Sequence, residues 1–306
     1  MALSPNMRAA LFMCISMAGF TMNDAITKVA SAWMNMGQVM LVRGVFASVL
    51  IAAIAWHQGA LARPAQVLHP KILLRAACEA AATVTFLIAL SHLPIANVSA
   101  ILQALPLAVT MGAAQLFSEP VGWRRWLAIF AGLTGVLIIV RPGGDGFSPY
   151  AIVMLVCVFF CASRDLITRL MPLEIPTLLV STTTALSVTI CGAFLVGPMG
   201  GWTAMTLRET ALMAIGAMLL LVGYQFIIRA MRAGDISFVA PFRYTALLWS
   251  LILGFVVFGD IPDLPMIVGA TIVVASGLYT LYRERKVGRH RVAAESTQPG
   301  MAPDGI

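Results

Sequence analysis

The sequence predicts an all-α polytopic membrane protein, ten transmembrane helices arranged as two inverted five-helix repeats. Three observations predict it. Hydrophobic residues make up 60% of the chain and charged residues 11%, with a mean hydropathy of +0.91; soluble domains carry about a quarter of their residues charged. The apolar residues gather in ten runs, each close to the roughly 20 residues that cross a hydrocarbon core of about 30 Å. The chain also echoes itself: Asp24, Ile26, Thr27 and Lys28 near the end of the first run return as Asp165, Ile167, Thr168 and Arg169 near the end of the sixth. A unit with five spans starts on one side of a membrane and ends on the other, so its copy enters upside down, the arrangement that exposes one midplane site to each side in turn.

In chain order the spans are expected near 8–29, 36–56, 72–92, 95–117, 122–141, 149–170, 178–197, 208–230, 236–258 and 264–283. The first repeat is residues 1–145, the second 146–284, and 285–306 is a basic, then Gly-, Pro- and Ser-containing tail expected to be disordered and cytoplasmic. Connections as short as Ser91 to Pro94 make neighbouring helices antiparallel hairpins. Pro94, Pro120, Pro142, Pro149, Pro176 and Pro262 fall at or near predicted ends, where a missing backbone donor costs least. Pro106 and Pro241 fall inside the fourth and ninth spans, where each frees backbone carbonyls and kinks its helix.

Charge sets the orientation. With the N-terminus inside, the inner face receives Arg8, Arg63, Lys71, Arg75, Arg124, Arg125, Arg169, Arg229, Arg232 and the basic start of the tail, while the outer face receives Lys28, Arg141 and Arg208. That bias places both termini in the cytoplasm. The net charge of +7 is scattered between apolar runs, which argues against nucleic acid as a partner. Cys14, Cys78, Cys157, Cys161 and Cys191 lie inside apolar runs without metal or disulfide spacing and read as small core residues. No hydrolase elbow, metal-binding His helix or phosphate loop is present, so no enzyme activity, cofactor or metal is expected.

Several stretches carry a family resemblance. The run ALSHLPIANVSAILQALP from Ala89 to Pro106, then Phe117-Ser-Glu119-Pro120, Trp123-Arg124-Arg125-Trp126 and GLTGVLIIVRP from Gly132 to Pro142 resemble the EamA family of the drug/metabolite transporter superfamily. AGDISFVAPFRY from Ala233 to Tyr244 and Phe258-Gly259-Asp260 repeat the pattern, and Lys28 and Arg43 match as well. The resemblance covers residues from about 8 to 283 and implies ten helices, a central cavity and carriage of a small metabolite. Where many members carry a Trp-Gly motif this chain has Gly19-Phe20-Thr21-Met22-Asn23-Asp24, so their cavity chemistry does not transfer. Asn23-Asp24 and Pro241-Phe242-Arg243-Tyr244 are similar to a bacterial subgroup that includes riboflavin importers and S-adenosylmethionine carriers, with riboflavin the first expectation.

The polar groups inside the spans carry the mechanism, because a charge at the bilayer centre costs about 2.5 to 3.5 kcal/mol on insertion scales. Asp24, Arg43, Glu79, Arg164, Asp165 and Arg243 are the candidates. Arg43 and Arg243 offer a fixed fork of donors to a carboxylate, a phosphate or a planar ring, and Tyr244 beside Arg243 adds an aromatic face; pairing with Asp24, Glu79 or freed carbonyls is the structural alternative. Asp24, Arg43, Gln103, Tyr224, Gln225, Arg243, Tyr244 and Trp249 form the expected substrate site, and Lys28, Asp165 and Arg169 the expected gate or helix latch. Arg164 and Asp165 are adjacent and point about 100 degrees apart, so they are not expected to face one cavity together.

The reading is a secondary carrier in a bacterial inner membrane, with riboflavin uptake first. A carrier for S-adenosylmethionine, or an exporter of amino acids or other metabolites, is the alternative on the same scaffold. A non-transporting membrane receptor is the alternative of another class. Asp24 or Glu79, if it faces the cavity, is the candidate for proton coupling. Oligomeric state is left open.

Overall fold

The computed structural model describes residues 4–57, 67–117, 122–144, 146–172, 175–233 and 236–287. Among them there are no strands, and ten helical spans are long and apolar enough to cross a membrane. The helices are α1 (Pro5–Ala30), α2 (Met36–His57), α3 (Pro70–His92), α4 (Ile95–Leu102), α5 (Leu105–Leu116), α6 (Trp123–Val140), α7 (Pro149–Arg169), α8 (Thr177–Val196), α9 (Leu207–Ala233), α10 (Ile236–Val239), α11 (Thr245–Phe258) and α12 (Leu264–Val287), with a 3-10 segment Ala240–Tyr244 between α10 and α11. The expected spans are all present, displaced by a few residues at their ends. Helix α12 runs on to Val287, past the expected start of the tail, and the rest of the tail lies outside the described residues.

Local chemistry sets the boundaries. Pro5, Pro70 and Pro149 occupy the first turn of their helices, where no intrahelical donor is lost. Helix α1 is capped by the Ser4 hydroxyl, which accepts from the Met7 amide. The two internal prolines interrupt their spans. The fourth span breaks at Gln103 and Ala104, between α4 and α5, with Pro106 in the first turn of α5. The ninth tightens into the 3-10 segment that contains Pro241. Thr110 Oγ1 donates to the Pro106 carbonyl at 2.8 Å and Thr245 Oγ1 to the Phe242 carbonyl at 2.6 Å, side-chain bonds to the backbone beside each interruption.

Each major packing seam joins the two halves of the chain: α1 lies on α9, α2 on α8, α3 on α7, and α6 on α12. Small residues permit the approach. Gly135 and Gly269 meet backbone to backbone, and a Cβ on Gly269 would stand 2.5 Å from the Gly135 carbonyl oxygen. Cys157 and Cys161 are fully buried, and all five cysteines are free. Phe130, Phe159, Phe194 and Phe255 are exposed on outer helix faces, as lipid-facing residues are. The protein is a multi-pass membrane protein. Because successive spans alternate direction, one face of the bundle carries the start of α1 (the Pro5 face) and the other its end (the Lys28 face).

Candidate functional site

A cavity of about 120 Å³ lies between α2, α3, α8 and α9. Its α2 wall runs from Met40 to Ile51, its α3 wall from Arg75 to Thr83, its α8 wall from Leu178 to Val188, and its α9 wall from Leu220 to Ile228. On α2 these residues run from the second turn into the later turns, on α9 they occupy the middle and the later turns, and on α3 and α8 the earlier turns and the middle. The cavity therefore sits in the half of the bundle nearer the Pro5 face. Its lining is mostly aliphatic, with Arg43, Arg75, Glu79, Thr83, Ser181, Thr184, Tyr224 and Gln225 as its polar groups.

Two arginines reach this space by different routes. Arg43 on α2 has its recorded hydrogen bond to Thr27 Oγ1 on α1, at 3.3 Å. It lies within electrostatic reach of Asp24, with no direct ion pair between them among the described residues. Asp24 accepts from its neighbour Asn23 Nδ2 at 3.1 Å. Arg43 thus keeps donors of its guanidinium fork available at the cavity wall.

Arg75 belongs to a buried ionic cluster. Its Nε donates to Thr168 Oγ1 at 2.9 Å and its Nη1 to Thr184 Oγ1 at 2.5 Å, while Nη2 lies 3.9 Å from Glu79 one turn along α3. Glu79 Oε2 accepts from Arg164 Nη1 of α7 at 2.8 Å. Arg164 also curls back so that Nε and Nη2 both donate to Asp165 Oδ1, at 2.9 and 2.8 Å. Two cations and two carboxylates cancel in a region where an unpaired charge would be prohibitive. The long arginine stem overcomes the angular divergence expected of adjacent helical residues, so Arg164 and Asp165 act together after all. Arg75 was expected at the inner membrane surface; it is 1% exposed instead, held inside because Glu79, Thr168 and Thr184 answer its donors.

Of the expected substrate residues, Arg43, Tyr224 and Gln225 line the cavity, and Asp24, Gln103, Arg243, Tyr244 and Trp249 are not among its lining residues. Tyr224 stands edge-on to Phe20, ring centroids 5.5 Å apart, and Trp249 packs in the same cluster behind the wall. Gln103 is buried at the break between α4 and α5, its Nε2 without a hydrogen-bond partner. Arg243 and Tyr244 are buried in the 3-10 segment, which Pro241 tightens; the Tyr244 ring packs with Ala240 and Leu281, its hydroxyl against Gly277.

The expected latch residues lie at helix ends. Lys28 Nζ donates to the carbonyls of Leu90, at 3.0 Å, and Leu93 at the C-terminal end of α3, and stands 5.4 Å from the ring centroid of Phe258. A cation there complements the negative end of the helix dipole. Arg169 lies over Phe117, at 5.1 Å. Asp165 belongs to the ionic cluster. The sequence reading left Arg75 and Thr184 out of the site and named Glu79 only as a buried charge and a candidate for proton coupling; the signal that joins Arg75 to Glu79 was their i, i+4 spacing with opposite charge on one apolar helix.

Among known proteins, an S-adenosylmethionine uptake transporter of Rickettsia bellii is 24% identical over 281 residues, covering 89% of this chain and 92% of that protein. A pseudopaline exporter, CntI, of Pseudomonas aeruginosa is 25% identical over 264 residues, 84% of this chain and 90% of the other. A riboflavin transporter of Vibrio cholerae is 30% identical over 198 residues, 64% of this chain and 65% of the other. The profile of the EamA-like transporter family matches residues 7–141. With ten apolar spans, a cavity whose aliphatic lining carries a few polar groups, a first half that matches the EamA-like transporter family and relatives that move small molecules, the chain is a small-molecule transporter of the EamA type rather than an enzyme.

Proposed function

We propose that the chain is a secondary carrier of the bacterial inner membrane for a small metabolite that bears both a carboxylate and a cationic group, S-adenosylmethionine first. The observation that carries this reading is opposite charge in the lining of one cavity: Arg43 on the α2 wall with donors to spare, and Glu79 on the α3 wall, whose carboxylate also pairs with Arg164. A guanidinium fork suits a carboxylate, and Glu79 suits an ammonium or sulfonium. The Rickettsia relatives named for S-adenosylmethionine uptake, aligned over most of both chains, support it.

Riboflavin is the second reading, favoured by Tyr224 at the wall, with Phe20 and Trp249 behind it, and by the riboflavin transporter of Vibrio cholerae. The test is uptake of labelled S-adenosylmethionine and of labelled riboflavin by cells that lack their own carriers, at matched membrane expression. Saturable uptake of the first alone supports the zwitterion; uptake of riboflavin alone removes it.

The carrier works by alternating access between two inverted five-helix repeats, both termini cytoplasmic. The exchange of seams supports this arrangement: α1 on α9 corresponds to α7 on α3 when the repeats are swapped, and α2 on α8 and α6 on α12 each map onto themselves. Lys28 against Phe258 and Arg169 against Phe117 form a corresponding pair, each joining one half to the other, and serve as latches at opposite faces. With the termini cytoplasmic, the Pro5 face is the inner face.

A further inference from the structure

We propose that the connection between α8 and α9, residues 197–206, is a lid over the Lys28-face end of the cavity, and that Gln38 is the gating residue that holds it shut. The inference rests on the carrier reading above.

Gln38 lies in the first turn of α2, two residues before Met40, the first cavity residue on that helix. Its side chain is fully buried. Both ends of its carboxamide engage a single residue of the connection: Nε2 donates to the Thr203 carbonyl at 2.7 Å, and the Thr203 amide donates to Oε1 at 2.9 Å. This is a peptide-to-peptide pairing made by a side chain. Asn35 adds a bond from Nδ2 to the Gly201 carbonyl at 2.6 Å, while its Oδ1 accepts from the Gln38 amide at 2.9 Å. Met199 and Met205 of the connection pack against the main hydrophobic core.

The placement gives these contacts a direction. The α2 wall of the cavity begins at Met40 and extends away from the lid, so Gln38, Asn35 and the connection close one end while the cavity lies toward the other. The tether is built from neutral amides at the membrane surface, where water takes over each bond as it opens. Charged tethers would hold more tightly, and they are used deeper, between α3 and α7. The described conformation is accordingly sealed at the Lys28 face, and release of the Gln38 tether is the step that admits substrate from there.

The test uses the full chain in oriented membranes, with the five native cysteines replaced and Met40→Cys as reporter. A membrane-impermeant maleimide added at the Lys28 face labels the reporter slowly when Gln38 is present. Gln38→Ala raises that rate roughly tenfold, the shift that two lost neutral hydrogen bonds give. Thr203→Pro, which removes the amide donor without touching α2, raises it in the same direction. An unchanged rate in both variants, each folded by thermal melt, overturns the proposal. In a second arm, Gln38→Cys and Thr203→Cys are bridged by a short bifunctional thiol reagent; transport stops on bridging and returns on cleavage. Full transport by a fully bridged chain also overturns the lid. Labelling needs no substrate, so failure of the carrier reading shows up separately, as wild type that moves no ligand while the labelling difference stands.

Discussion

Arg164 on α7 donates to Glu79 on α3 at 2.8 Å, both side chains at most 2% exposed. The bond crosses between the halves of the chain, and Glu79 also faces the cavity. Glu79→Ala strands Arg164 with half of its counter-charge and destabilises the protein by about 3 to 5 kcal/mol, read as a lower melting temperature in detergent. Replacing the pair together, Glu79→Leu with Arg164→Met, does not recover that stability, because Arg75 and Asp165 then lose the counter-charges that Glu79 and Arg164 supply.

Arg43→Ala removes the cavity cation that has donors to spare. A charge-assisted hydrogen bond to substrate contributes about 1.5 to 3 kcal/mol, so the Michaelis constant for a carboxylate-bearing substrate rises about 10- to 100-fold. Transport kinetics at matched expression check this. Riboflavin, if carried, is affected less, because it offers no carboxylate.

Gly192 on α8 sits against α2 so closely that a Cβ would lie 2.7 Å from the Leu41 amide nitrogen. Gly192→Val forces the helices apart at a cost of about 1 to 3 kcal/mol. A melt of the purified variant reads it, and loss of transport accompanies it because the seam lies beside the cavity.

Lys28→Met leaves the α3 carbonyls of Leu90 and Leu93 without their donor and removes the cation over Phe258. The expected result is faster opening at the Lys28 face, seen as quicker labelling of Met40→Cys from that side, with a stability loss of about 1 to 2 kcal/mol. Unaltered labelling would remove Lys28 from the gate.

Asp263, in the connection before α12, caps that helix by accepting from the Met266 amide at 3.0 Å and also accepts from Arg141 at the end of α6. The Arg141 hydrogen bond holds its carboxyl below the ordinary carboxylate value. A folded-state value lower than the unfolded one stabilises the fold at pH above the unfolded value. That contribution fades as pH falls through the depressed folded value. Because Asp263 is half exposed, the effect is small: Asp263→Asn costs about 1 kcal/mol at neutral pH and nothing in acid, which melts across a pH series distinguish.

The spans were legible because bilayer thickness fixes their length, and the breaks at Pro106 and Pro241 because proline chemistry is local. Arg43 was legible as a charge no helix buries without a reason. The rotation of each helix was not. Helix α2 is apolar all round, so nothing in its pattern points Gln38 at the lid. Arg75 looked like an interfacial charge because it lies near a helix start, and only Thr168 and Thr184, far along the chain, reveal it as buried. Arg243 and Tyr244 carried the chemistry of a site, and the structure buries both in the 3-10 segment that contains Pro241, outside the cavity's lining residues.

The ionic cluster also imposes an order on biosynthesis. Helix α3 is made and threaded into the bilayer well before α7, so Glu79 arrives when Arg164 does not yet exist. What it does have is Arg75, one turn away on the same helix, a counter-ion that travels with it through the insertion machinery. In the folded bundle Glu79 pairs with Arg164 while Arg75 stays beside it and bonds Thr168 and Thr184. A chain truncated before α7 would therefore leave that pairing unmade, and quality control would meet a half-bundle with a charged seam facing lipid.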